Sequence, residues 1–317
     1  MLGSAAAWPL AARGQQPAIP VIGFLNSAST EGYAPMVTAF SEGLKQTGYF
    51  EGQNVVIEFR WADGHYDRLP ELAAELVRRQ VVVIAAGGPP AALAAKAATS
   101  TIPIVFTSGT DPVELGLVSS FNRPGGNITG VHLFLSELNT QKLGLLRDLL
   151  PQAKAIGVLL NPTAENAEPQ SSDLQAAGRA LGFQIRRVNA SSDREFNPAF
   201  ATLVELRVDG LVVGADPFFN SRREHIVGLA ARHAIPAVYE TREYADAGGL
   251  IAYGTNIKDA YRQAGVYVGR LLRGGTAADL PVLRFTKFEL VINLKTARAL
   301  GLTLPPGMVA TADDVIE

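Results

Sequence analysis

The sequence predicts an α/β protein made of two doubly wound parallel-sheet lobes joined by a hinge. Three observations carry that prediction. Short apolar, β-rich runs alternate with helically spaced segments from Val21 onward. The alternation occurs twice, with a break at a Pro/Gly-rich turn over residues 123–127. Small polar residues collect just after the apolar runs, where open α/β sheets hold ligands.

In chain order, residues 21–25, 55–59, 81–86 and 104–106 are strand candidates in the first half, and 156–160, 184–188, 211–213, 237–239 and 250–253 in the second. Continuous runs such as VVVIAA and IGVLL suit parallel strands covered on both faces. Val37, Phe40 and Leu44 repeat at helical spacing, with Gly48 where a C-terminal cap belongs. Leu72, Leu76 and Val77 form a second apolar stripe after Asp67, and Pro89-Pro90 opens a helix over 91–98. A helix is expected over 137–149. Ser221 and Glu224 read as a capping box ahead of Ile226, Val227 and Leu229. A long helix over 256–272 follows, then a short one with Asn293 as N-cap and Gly301 past its end. The segment 128–131 reads as a strand leaving one unit for the other.

The chain has 317 residues, enough for two α/β lobes of ordinary size. With 47% hydrophobic and 18% charged residues it is a folded soluble chain, not a disordered one. Net charge is −2, and the pairs Arg78-Arg79, Arg186-Arg187 and Arg222-Arg223 are scattered as on solvated helix faces and strand edges. That is no nucleic-acid footprint. The absence of cysteine excludes disulfides, thiol catalysis, cysteine metal sites and a lipoprotein anchor on this chain. Residues 2–14 resemble the end of a secretory signal, with cleavage expected after Gly14 and a basic segment expected upstream. No other segment approaches the ~18–20 apolar residues of a membrane span.

Enzyme signatures are missing. His65, His132, His225 and His233 are scattered, neither HExxH nor GxSxG occurs, and GFLNSAST lacks a dinucleotide glycine fingerprint. No catalytic residue, metal site or cofactor is therefore expected. A sugar-type transcription regulator would need a helix-turn-helix before residue 20, where the signal-like stretch stands.

The residues following each strand define the candidate pocket: Asn26, Ser27, Ala28, Ser29, Gly87, Gly88, Thr107, Ser108, Gly109 and Thr110 in the first half, and Asn161, Gly214, Ala215, Asp216, Glu240 and Gly254 in the second. Such residues also serve as plain connections. Gly87-Gly88-Pro89-Pro90 reads as a carboxylate site at a helix N-terminus. Asp111-Pro112 reads most simply as an N-cap followed by proline. Asp216 beside Phe218 and Phe219, ahead of the helix that Ser221 would cap, suits an ammonium on an apolar solute. Glu240 is the alternative ammonium partner. Tyr239 and Tyr253 are either pocket wall or core.

FTSGTDPVELGLV, NRPGGNITGV and FELVINLKTARALGL resemble the ABC-transporter substrate-binding protein family of the tryptophan/tyrosine type, over nearly the whole chain from Ile19. The resemblance implies a type I periplasmic-binding-protein fold whose lobes are hinged by three chain crossings, and no catalysis. The expected division is a tail over 1–18, a first lobe of 19–127 plus 255–285, and a second of 128–254 plus 286–317. It further implies a periplasmic, monomeric protein that closes on a small amino-acid-like or aromatic solute and presents it to an ABC permease. A sugar-type binding or sensor domain is the alternative.

Overall fold

The structure, a computed structural model, describes residues 19–136 and 138–317. The signal-like stretch and Glu137 lie outside the described residues. The first sheet is assembled from β1 (Val21–Asn26), β2 (Val56–Trp61), β3 (Val83–Gly87), β4 (Ile104–Ser108) and β5 (Ile128–His132). Between them run α1 (Ala34–Gln46), α2 (Leu69–Arg78) and α3 (Pro89–Ala98). The second half adds α4 (Asn139–Leu149), β6 (Ala155–Leu160), α5 (Ala167–Ala180), β7 (Gln184–Asn189), α6 (Asp193–Glu205), β8 (Gly210–Val213), α7 (Pro217–Ser221), α8 (Arg223–Arg232), β9 (Ala237–Tyr239), α9 (Arg242–Asp246) and β10 (Ile251–Thr255). The chain closes with α10 (Ile257–Leu272), β11 (Leu283–Arg284), β12 (Phe288–Asn293), α11 (Leu294–Ala299), α12 (Pro306–Thr311) and β13 (Asp314–Ile316).

Strand order is β11-β5-β4-β3-β1-β2 in the first sheet and β13-β12-β10-β9-β8-β6-β7 in the second. All pairings are parallel except β10 with β12. Strands β3, β4 and β5 are buried at every position, as their unbroken apolar runs require. The chain passes between the sheets three times: after β5, between β10 and α10, and between β11 and β12. Helix α10 returns to the first sheet, where it lies along α1; Gly43 and Gly265 let the two backbones meet, since a Cβ at Gly43 would stand 1.9 Å from the Arg262 carbonyl.

Three local expectations are corrected. The first-lobe boundary expected after Asn127 falls one strand early. β5 pairs with β4 from Ile104↔Ile128 to Ser108↔His132, so the Pro/Gly turn is an ordinary connection within the first sheet. The chain leaves that sheet after His132. Ser221 does not cap α8: it ends α7 and donates to the Phe218 carbonyl at 2.7 Å. Asp216 caps α7, accepting from the N–H groups of Phe218 and Phe219, so both phenylalanines are helical. Asp111 accepts from the Val113 and Glu114 N–H groups, yet the segment it opens is a series of turns, not a helix.

The lobes are shut. Tyr66 donates to Asp216 at 2.9 Å, Arg222 to the Ser29 hydroxyl at 2.9 Å, Arg223 to the Gly32 carbonyl at 3.1 Å and Asn166 to the Thr110 hydroxyl at 2.8 Å. Phe218 crosses the gap with its ring against Gly64, where a Cβ would lie 2.5 Å from it. Burying such a ring is worth about 2 kcal/mol.

Candidate functional site

Between the shut lobes lies a cleft of about 410 Å³, a volume that includes open solvent at its mouth. Seven of the sequence-predicted residues line it: Gly88, Thr107, Gly109, Thr110, Ala215, Asp216 and Glu240. The rest stand behind it or elsewhere. Asn26 accepts from the Ala28 N–H at 2.9 Å and donates to the Tyr261 hydroxyl at 3.1 Å, so it supports a cleft residue from beneath. A Cβ on Gly87 would strike that same Asn26 amide at 2.2 Å. Ser108 closes a local turn onto Thr110. Asn161 donates to both Asp216 oxygens at 3.3 Å. Phe218 stacks on Phe196 at 5.5 Å, out of the cleft. Tyr239 stacks on Tyr244 at 4.7 Å beside a separate small cavity, and Tyr253 packs on Phe288 in the second lobe. Tyr239 is core and Tyr253 is half-buried against the core; neither lines the cleft.

The helix start at Gly88 does not offer the expected carboxylate site. Pro89 and Pro90 have no N–H. The Gly88 N–H donates to the Thr107 carbonyl at 3.0 Å, that of Ala91 to the Ser27 hydroxyl at 3.1 Å, and that of Ala92 to the Gly88 carbonyl at 3.0 Å. Every early donor of α3 is absent or spent. Gly88 itself is required twice over: its φ of +91° suits only glycine, and a Cβ there would stand 2.6 Å from Pro217 of the opposite lobe.

The two carboxylates differ. Asp216, 4% exposed, is saturated by Tyr66, Asn161 and two backbone N–H groups. Burial pushes its carboxyl up to about 6, while those four donors pull it back. Glu240, 2% exposed, receives the Asp216 backbone N–H but keeps Oε2 without a hydrogen-bond partner among the described residues. Burial pushes it up to about 8; the Lys142 ammonium opposes this, and the Asp216 and Glu243 charges add to it. A buried, half-satisfied carboxyl on a cleft wall is costly and calls for a ligand donor.

Sequence reasoning missed Tyr33, Leu133, Leu135, Asn220, Ile257 and Tyr261, all of which line the cleft. Leu133 directly follows β5, whereas the tyrosines and Ile257 come with α1 and α10, Asn220 from inside α7, and Leu135 from the first crossing. The Asn256 cap was the readable signal for α10's start; its side chain accepts from the Asp259 N–H at 3.1 Å. The Asn220 amide faces the Tyr33 hydroxyl and makes no hydrogen bond of ordinary geometry among the described residues. Asn220, Tyr33 and Glu240 join Thr107, Thr110, Asn166, Asp216 and Tyr261 as polar groups of the cleft wall, while Leu133, Leu135, Ile257 and the two prolines supply apolar wall.

Two hinged α/β sheets, three crossings and a buried cleft between them define a two-lobed solute-binding protein. The comparisons agree. The model of the ABC transporter substrate binding protein family matches residues 19–316, and the chain belongs to that family. It is 32% identical over 263 residues to a "Tyrosine-binding protein" of Clostridioides difficile (strain R20291), covering 83% of this chain and 75% of that protein. The structure of an ABC domain in complex with L-Trp from Streptococcus pneumonia superposes with a TM-score of 0.83 at 26% identity, covering 94% of this chain and 99% of that one. A ligand-free, open substrate-binding protein with adhesive properties from Clostridium difficile, also 26% identical and covered to the same extents, reaches only 0.64. Equal identity with a lower score against the open form agrees with the shut lobes described above.

Proposed function

We propose that this chain is the exported, soluble solute-binding component of an ABC importer, and that it closes on an aromatic α-amino acid. The observation that carries the reading is the Glu240 Oε2 on the cleft wall, without a hydrogen-bond partner among the described residues. An α-amino acid has its ammonium and carboxylate on one carbon, so both charges need to be met at one end. Glu240 meets the ammonium there, and the Asn220 amide and Tyr33 hydroxyl supply donors for the carboxylate. The apolar wall takes the side chain. Asp216, occupied by its own donors, holds the lobes together. The L-Trp of the pneumococcal structure and the name of the tyrosine-binding relative support this ligand class. The closed form would be the one a membrane permease recognises, with one chain sufficient to bind. Nothing in the cleft's donor set calls for a catalytic or cofactor role.

The test is calorimetric titration of protein freed of carried-over ligand by unfolding and refolding. L-tryptophan or L-tyrosine should bind and a hexose should not. At a ligand concentration near 100 times the dissociation constant, thermal unfolding should report about 2.7 kcal/mol of stabilisation. Binding of the hexose without either amino acid overturns the reading.

A further inference from the structure

The first three β-α connections of the first lobe each hold a glycine with a left-handed backbone: Gly32 after β1, Gly64 after β2 and Gly88 after β3, at φ +80°, +79° and +91°. All three face one short segment of the second lobe. A Cβ on Gly88 would stand 2.6 Å from Pro217, and one on Gly64 2.5 Å from the Phe218 ring. One on Gly32 would stand 3.1 Å from the Ser221 carbonyl and 3.0 Å from the Arg223 guanidinium. Backbone conformation alone does not account for the glycine at 64, because its neighbour Asp63 is left-handed at φ +55° and keeps a side chain. The Phe218 ring has no room to step aside, being 2% exposed and stacked on Phe196. The same segment makes the bonds from Arg222 to Ser29, from Arg223 to the Gly32 carbonyl and from Tyr66 to Asp216. Asn220, in its middle, lines the cleft with an amide that makes no hydrogen bond of ordinary geometry among the described residues.

We infer that Gly32, Gly64 and Gly88 are positioning residues for solute capture: together they form a seat in the first lobe for the segment 216–223, and Asn220 of α7 completes the cleft wall only when that segment is seated. This rests on the reading of the cleft as the solute site and of Asn220 as one of its donors. Gly32, Gly64 and Phe218 do not line the cleft, so they act on a solute only through the fit of the lobes. Binding and closure then share one element. A solute that engages Asn220 holds α7 in the seat, and a filled seat holds the solute. The three atoms nearest a Cβ on Gly64 all belong to Phe218 of the opposite lobe, so a methyl group there strikes them only in the shut form. Its penalty falls on the shut complex and is read as faster release.

The experiment is a double-mutant cycle on the full chain between Gly64→Ala and Phe218→Ala, read by L-tryptophan affinity and dissociation rate, with Gly52→Ala as the strain control. Gly52 has a φ of +77° and nothing within 4 Å of its Cβ position, so that variant carries the same backbone strain without touching the other lobe. Gly64→Ala should bind L-tryptophan roughly tenfold more weakly, chiefly through faster dissociation. Gly52→Ala should bind it as the parent does. Phe218→Ala should itself weaken binding, but adding Gly64→Ala to it should weaken binding by no more than about twofold, because the ring that the methyl strikes is gone. An equal loss from Gly64→Ala in both backgrounds, or equal losses from Gly52→Ala and Gly64→Ala, places the effect inside the first lobe and overturns the inference, as does no loss at all. If Gly64→Ala does not fold, Gly64→Asn takes its place, since asparagine tolerates a left-handed backbone. A parent that binds a hexose and not L-tryptophan overturns the solute reading alone. The same cycle run with the hexose then decides the seat, because the clash is the same whichever solute fills the cleft. A parent that binds neither overturns both.

Discussion

The two faces of the cleft differ in how far their polar groups are already spent. On the first lobe, the groups expected to bind are bonded to one another: Ser27 to the Gly87 carbonyl and the Ala91 N–H, Gly88 to Thr107, Ser108 to Thr110. On the second, Glu240 and Asn220 carry buried polar atoms without partners among the described residues. The first face is a preorganised platform shaped by glycine and proline. The second holds the electrostatic demand. Strand-end position marks where a site lies; whether a polar group is available depends on what else its neighbours bond.

The sharpest way to break this comparison is Glu240→Gln. If the second lobe holds the electrostatic demand, amino-acid affinity should fall by about 2–5 kcal/mol, read by calorimetry. An equal loss from Thr107→Ala would erase the distinction between the faces.

Next is Asp216→Ala, which removes the cap of α7 and strands the Tyr66 hydroxyl and the Asn161 amide. The ligand-free protein should lose about 2–4 kcal/mol, a downward shift of several degrees in melting temperature. An unchanged melting temperature would mean that Asp216 is not structural and would restore it as a ligand contact.

A third test is pH. Burial raises Asp216 from 3.8 to about 6 and Glu240 from 4.5 to about 8. Between those limits the folded state binds more protons than the unfolded state, so stability present at low pH is lost as pH rises. The ligand-free melting temperature should fall by a few degrees between about pH 4.5 and about pH 8. In Glu240→Gln the decline should end near pH 6, where only Asp216 contributes.

The smallest effect belongs to Tyr66→Phe, which removes one cross-lobe hydrogen bond worth about 1 kcal/mol. Ligand should dissociate roughly fivefold faster with little change in melting temperature, as stopped-flow fluorescence would show. A dissociation rate matching the parent would exclude Tyr66–Asp216 as a clasp.

The sequence by itself determined the strands and the alternation. VVVIAA, IGVLL and their like can lie only where both faces are covered, and Asn256, Asn293, Gly48 and Gly301 terminate their helices by purely local chemistry. It also located the cleft through Gly88, Thr107, Thr110, Asp216 and Glu240. Tertiary structure alone decided which of these remain available. Ser221 looked like the cap of the helix after it until it closed α7, which Asp216 caps; 128–131 looked like a strand leaving the first unit until it found β4 as a partner. Tyr33 and Tyr261 enter the cleft with helices, and Leu135 from the crossing, so no strand-end rule reaches them. The physical reason is range. Capping, turns and periodicity act over a few residues, whereas a hydrogen bond from Tyr66 to Asp216 or the field of Lys142 at Glu240 exists only once distant segments have packed together.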